Sequence, residues 1–160
     1  MTLRGHVGPL KDSTLRQRVV ARTVWALTAS PDWLAKHGTP ATPDDIPTGE
    51  VLCFSTTADC PGWTLYHGDE KRHIQAAPRL ISDDMVTLRT SAIAGGGITC
   101  LPAYMMRNAL NAGQLVRVLP DWSPQTSTIS LLTPPKAQSS RLAGAFSDFL
   151  AAEMPRIMKI

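Results

Sequence analysis

The residues that could do chemistry in this chain are few and scattered. The four histidines, His6, His37, His67 and His73, are scattered, and none pairs with an acid at a telling spacing. No Gly-x-Ser-x-Gly elbow exposes a nucleophile. Gly95-Gly96-Gly97 is followed by Ile98-Thr99, not by the Lys-Ser or Lys-Thr of a phosphate loop, and it follows a helical pattern instead of opening one. Cys53, Cys60 and Cys100 make no CxxC, and no HxxxH occurs. Their spacing reads as reduced thiols, with Cys53 and Cys100 as small core residues in apolar runs. The acid pairs Asp44-Asp45 and Asp83-Asp84 stand at helix starts, where capping is the simpler use. The expectation is a protein that is not an enzyme and that carries no metal and no cofactor.

A binding reading has more material. Four polar stretches follow strand-like runs: Arg4-Gly5-His6, Ser55-Thr56-Thr57, Ser82-Asp83-Asp84 and Gly97-Ile98-Thr99. Hydroxyls and main-chain N–H groups at strand ends hold the carboxylates or hydroxyls of small metabolites without reacting with them. Arg4 adds a charge-assisted clamp. The alternative is that these loops only end strands, and composition does not separate the two. The three glycines pose the same choice, as a packing device or as the wall of a small-molecule cleft.

The elements that would position these residues alternate. Leu3-Arg4-Gly5 ends a strand, and strands follow at 15–20 and 23–28. Ala29 to Gly38 carries a full short-helix signature. Ser30 is the N-cap, Pro31 the first turn, Asp32 complements the dipole, Lys36 and His37 fill the last turn, and Gly38 stops it. Val51 to Phe54 reads as a buried strand, and 63–66 with 72–75 as a hairpin. Asp83 or Ser82 caps a helix from Asp84 to about Ala94, with Met85, Leu88 and Ala92 inward. A strand at 98–101, a helix opened by Pro102, strands at 115–119 and 129–133, and a loop at 120–125 come next. The last helix is capped by Ser139 or Ser140, with Leu142, Ala145, Phe146, Phe149 and Leu150 as its apolar stripe. Alternation of this kind predicts an α/β fold.

Bulk numbers agree with one globular unit or two small lobes. The chain has 160 residues, 43% hydrophobic and 18% charged, with 16 Lys+Arg against 13 Asp+Glu. Arg4, Lys11, Arg16, Arg18 and Arg22 against Asp12 make a basic start, read as a solvated strand face. No apolar run reaches membrane-spanning length, and Met1 to His6 lacks the pattern of a secretory signal, so a cytoplasmic protein is expected.

Taken in order, these stretches resemble the LysR-type transcriptional regulators. Leu3-Arg4-Gly5 with Gly8-Pro9-Leu10-Lys11-Asp12-Ser13-Thr14-Leu15 is similar to their R-x-G-x-L-x-D-S-S-L passage. Ala29-Ser30-Pro31-Asp32-Trp33-Leu34-Ala35-Lys36-His37-Gly38-Thr39-Pro40 is similar to A-S-P-x-Y-L-x-x-x-G-x-P, with Trp33 for the tyrosine. Ser82-Asp83-Asp84, Ala94 to Pro102, Gly113 to Pro120 and Arg141 to Leu150 follow at the family's spacing. The resemblance implies the effector-binding domain of such a regulator, a type II periplasmic-binding-protein-like fold with a metabolite cleft between two lobes. It implies an effector site of Arg4, Gly5, Ser55, Thr56, Thr57, Asp83, Gly97, Ile98 and Thr99. A small organic acid is the ligand suggested by family habit and Arg4.

The family's winged helix-turn-helix and the start of its first lobe precede the matched region. The resemblance therefore predicts an N-terminally truncated fragment, with one lobe nearly complete at about 29–117. The crossover and a partial first lobe would occupy 1–28 and 118–160, with exposed apolar surface on the remaining strand and helix. DNA would be bound only through the missing domain, and the intact protein would be a homo-oligomer. A periplasmic-type solute-binding protein and a non-functional remnant are the alternatives.

Overall fold

The computed structural model describes residues 1–10, 14–75, 77–124, 126–135 and 140–158. Lys11, Asp12 and Ser13 of the first family-like passage, and Ser139 of the last helix's cap, lie outside the described residues. The chain divides into two compact units, Trp25–Gln125, and Met1–Val24 with Thr126–Ile160.

The unit Trp25–Gln125 is built on a five-stranded sheet. Its strands are β3 (Trp25–Ala29), β4 (Val51–Phe54), β7 (Pro78–Ser82), β8 (Ile98–Pro102) and β9 (Val116–Arg117), in the order β7-β4-β8-β3-β9. β4 runs parallel to both β7 and β8, whereas β3 is antiparallel to β8 and β9. Side chains alternate across the strands and sort the core into two layers. Leu27, Val51, Cys53, Ile98 and Cys100 pack to one side with Trp33, and Leu52 and Leu101 pack to the other with Leu88 and Met106.

Trp33 belongs to α1 (Pro31–His37), and its side of the sheet also carries a small antiparallel sheet. That sheet is β10-β5-β6, from β5 (Trp63–His67), β6 (Glu70–Ile74) and β10 (Ser123–Pro124). The opposite side is covered by α2 (Met85–Ile93) and α3 (Ala103–Asn111).

Helix α1 forms as its sequence dictates. Ser30 Oγ accepts from Trp33 N at 3.2 Å, Pro31 opens the helix, and Gly38 leaves it at φ 85°. α2 corrects the predicted cap by one or two positions: Asp84 is the N-cap and its carboxylate accepts from the N–H groups of Val86 and Thr87. Ser82 instead accepts the N–H of Asp84 at 3.0 Å. β7 has no counterpart in the sequence reading, because Pro78 and Arg79 break its apolar run. The strand expected at 115–119 shortens to β9, since Leu119 turns the chain at φ 51° before Pro120. The 120–125 loop contains β10.

The second unit is a three-stranded antiparallel sheet, β1-β11-β2, from β1 (Thr2–His6), β2 (Arg16–Thr23) and β11 (Ser127–Thr133). α4 (Arg141–Met158) packs on it. The β2–β11 pairing shifts between Ile129 and Ser130, whose partners are Ala21 and Val19. Val20 is therefore an extra residue in β2, which is why neighbours Val20 and Ala21 are both buried.

α4 departs from its expected stripe. Leu150 is buried against Val20 and Leu131, with Ala151 and Met154 beside it, but Leu142 is 80% exposed and Phe149 60%. The helix carries two apolar stripes, and periodicity alone does not say which one faces the sheet. Exposed apolar surface on this helix is what the resemblance anticipated. No helix among the described residues is long and apolar enough to cross a membrane.

Candidate functional site

In the unit Trp25–Gln125, parallel β4 and β7 deliver their carboxyl ends side by side, the place where open α/β sheets take ligands. Ser55 N donates to the carbonyl of Ser82 at 3.1 Å and ties the two ends together. Beyond this tie the chain opens a shallow depression of about 480 Å³, lined by Ser55, Thr56, Thr57, Ala58, Ile81, Ser82 and Asp83. Ser55 Oγ accepts the N–H of Thr57 at 3.2 Å and lies 3.1 Å from Thr57 Oγ1, which folds the loop into a short hydroxyl-bearing turn.

The neighbouring acids divide their roles. The Asp84 carboxylate is held by the Thr87 hydroxyl at 2.6 Å and by the N–H groups of Val86 and Thr87, in that order of effect. These bonds lower its pKa below the usual carboxylate range. Asp83 is exposed and has no hydrogen bond or ion pair among the described residues. The depression thus offers hydroxyls and one free carboxylate, and no described lining residue is cationic.

The other expected site residues lie elsewhere. Val51 pairs with Ile98, so Gly97 stands beside Glu50, at the end of β4 opposite Ser55 and roughly 16 Å away at strand spacing. A Cβ on Gly97 would collide with the Glu50 carbonyl. Ile98 and Thr99 are fully buried, and Thr99 Oγ1 donates to Leu52 O at 3.2 Å. The glycine run packs: Gly95 takes φ 80° to leave α2, and Gly97 lets β8 start against β4. Arg4 and Gly5 sit on β1 of the other unit, opposite Ser130 and Ile129.

One serine–histidine contact escaped the sequence reading because its partners are 124 residues apart. His6 Nε2 lies 3.0 Å from Ser130 Oγ, and His6 Nδ1 lies 2.7 Å from Gly8 O. A carbonyl only accepts, so Nδ1 carries the proton, and Nε2 faces the Ser130 hydroxyl. Gln17 Nε2 donates to the same hydroxyl at 3.0 Å. Ser130 is fully buried, so no substrate reaches this oxygen, and the trio serves to satisfy polar groups under the sheet.

The cysteines need correcting. Cys53 and Cys60 form a disulfide, with Cα atoms 6.0 Å apart, and only Cys100 is a free, buried thiol. Cys53 does sit in the core, but the loop after β4 turns back over the same side of the sheet toward β5, and this brings Cys60 onto Cys53. Seven-residue spacing between a strand and a loop carries no motif by which to see this. Burial pushes the Cys100 thiol far above its ordinary pKa.

Comparison with known proteins fits this fold. The LysR substrate binding domain family model matches residues 4–155. The chain is 29% identical over 151 residues to the HTH-type transcriptional regulator CrgA of Neisseria meningitidis, covering 93% of this chain and 50% of that protein. The solved CrgA regulatory domain superposes with a TM-score of 0.80 at 25% identity, covering 94% of this chain and 74% of that one. The full-length Vibrio cholerae virulence activator AphB gives 0.77 at 27%, covering 94% and 51%. The chain spans about half the length of the curated relatives it matches. The neighbours are regulatory domains of this kind, so the fold is the α/β, type II periplasmic-binding-protein-like one.

Proposed function

The chain belongs to the LysR substrate binding domain family, and from that premise we propose that it is the effector-sensing part of a helix-turn-helix transcriptional regulator. The unit Trp25–Gln125 carries the ligand at the carboxyl ends of β4 and β7. Ser55, Thr56 and Thr57 present hydroxyls, and Asp83 presents an unengaged carboxylate. The observation that carries this reading is the tie from Ser55 N to Ser82 O, which closes the floor of a depression bearing polar groups.

With no cation among the described lining residues, an anionic group would be held through hydroxyls and N–H groups, while Asp83 selects a ligand bearing a hydroxyl or ammonium donor. Gly97, Ile98 and Thr99 take no part, and Arg4 and Gly5 are not needed. Binding without turnover is favoured because the Ser130 hydroxyl beside His6 is fully buried. DNA contact, homo-oligomer formation and a cytoplasmic location belong to the intact regulator in this reading.

A thermal-shift screen of small polar metabolites tests it. A ligand that binds only the folded chain raises the melting temperature as its concentration rises past Kd. That shift must shrink on Thr57→Val and Asp83→Asn. A shift equal in both variants and the parent would move the site elsewhere.

A further inference from the structure

One reactive pair is unused by the effector reading. The Cys53–Cys60 disulfide closes a ring over the segment 53–60, and this ring carries Ser55, Thr56 and Thr57, the hydroxyl side of the depression. We propose that Cys53 and Cys60 are a reversible oxidation site, closed by a hydroperoxide and reopened by small thiols, whose state sets how firmly the hydroxyl loop is held. The proposal rests on the effector reading for its purpose. A regulator working beside DNA meets a reducing medium, where disulfides are transient and tied to redox sensing.

The loop depends on this bond. Among the described residues, Ser55 N to Ser82 O is the only hydrogen bond tying the stretch 55–61 to the sheet, and Thr57 bonds only Ser55. At the far end Gly62 packs on the Ile74 carbonyl. Between them the chain is held by the disulfide and by the packing of Cys60 on the core. Opening the disulfide leaves Thr56 to Asp59, all exposed, without a covalent or hydrogen-bonded tie to the strands.

Exposure assigns the chemical roles. Cys53 is 1% exposed on β4 and Cys60 is half-buried in the loop, so Cys60 is the sulfur a small oxidant reaches. The Cys60 thiolate attacks the peroxide oxygen, giving a sulfenic acid and releasing an alcohol, or water from hydrogen peroxide. The Cys53 thiol then attacks that sulfur, forming the S–S bond and releasing water. Two thiols lose two electrons and two protons in all, and the hydroperoxide is reduced. Two small thiols reverse the bond by exchange and leave as their own disulfide. Cys100, buried and protonated, stays outside the cycle.

The test uses the whole chain, reduced with dithiothreitol and then treated with hydrogen peroxide. Alkylation of the native reduced form should label Cys60 before Cys53 and leave Cys100 unlabelled. Peroxide should give one linked Cys53–Cys60 peptide that dithiothreitol reopens. Amide hydrogen exchange at Ser55 and Thr57, the loop N–H groups that are hydrogen-bonded, should slow on the order of tenfold on oxidation. Cys60→Ser, which spares the buried β4 position, should give fast exchange whatever the treatment. Peroxide driving Cys60 to a stable sulfinic acid without the link, or equal exchange in both forms, would overturn the proposal. Neither readout uses a ligand, so a chain that cycles as described yet binds no metabolite refutes the effector reading alone.

Discussion

The indole N–H of Trp33 donates to Oε2 of Glu50 across 3.0 Å, joining α1 to the residue that precedes β4. Arg79, on β7, reaches the same oxygen at 3.2 Å. The Trp33 bond first, and the Arg79 charge after it, outweigh desolvation and hold the Glu50 carboxyl below its ordinary value of 4.5. A lowered folded-state pKa stabilises the fold above pH 4.5, and that contribution is lost as pH falls through the folded value. Trp33→Phe keeps one aromatic ring toward His37, removes the donor and leaves a gap where the rest of the buried indole was. The gap and the lost donor together should cost about 2–3 kcal/mol at pH 7, and the lost donor should flatten the acid side of the stability curve. Asp45 and Asp84 are lowered as well, so the comparison is parent minus variant by urea unfolding between pH 3 and 7. A constant difference at every pH would remove Glu50 from the acid response.

Thr28 is fully buried on β3, and its hydroxyl has no hydrogen-bond partner among the described residues. Its strand partners are Thr99 and Arg117. Thr28→Val keeps the shape and removes an unsatisfied oxygen, which should stabilise by about 1 kcal/mol and raise Tm by a few degrees in calorimetry. A lowered Tm would mean that the hydroxyl finds a partner in solution.

How much of this was legible depends on how local the cause is. α1 could be read residue by residue because Ser30, Pro31 and Gly38 act within one turn. The hairpin of β5 and β6 was readable from two alternating runs around Gly68-Asp69. The inward face of α4 was not, because Phe149 and Leu150 are equally apolar and only the sheet selects between them. Ser55–Thr57 and Asp83 could be named as strand-end loops, but the parallel register of Val51 on Ile98 puts Gly97 at the wrong end of β4 to join them. The Cys53–Cys60 bond needed the path of a loop that sequence does not supply.

Gly97 gives a sharp test of the packing role assigned to the glycine run. It sits at φ 146° with no room for a Cβ against the Glu50 carbonyl. Gly97→Ala should cost about 3 kcal/mol or more, or prevent folding. Gly113→Ala is the control: its φ of 68° is left-handed but open space surrounds it, so the cost should stay near 1 kcal/mol. Comparable Tm losses in the two variants would refute the close approach.

Adjacent positions on α4 should behave oppositely. Leu150 is 8% exposed and packs on Val20 and Leu131, so Leu150→Ala should cost about 2–4 kcal/mol in denaturant unfolding. Phe149 is 60% exposed, and Phe149→Ala should change stability by less than about 0.5 kcal/mol. Similar costs at both would show that the second apolar stripe is covered in solution.

Asp83 and Asp84 are neighbours with different work to do, and separating them tests the site without a known ligand structure. Asp84 spends its carboxylate on the first turn of α2, through Thr87 and Val86. Asp84→Ala should therefore lower Tm, and lower it less in acid, where the parent's carboxylate is itself protonated and the cap already weakened. Asp83 bonds nothing among the described residues and faces the depression. Asp83→Asn should leave Tm unchanged and weaken any ligand found by the thermal-shift screen about tenfold, the scale of one charge-assisted hydrogen bond. Titration calorimetry of both variants with that ligand decides. If Asp84→Ala loses affinity in proportion to its stability while Asp83→Asn loses none, the carboxyl ends of β4 and β7 are not where the effector binds.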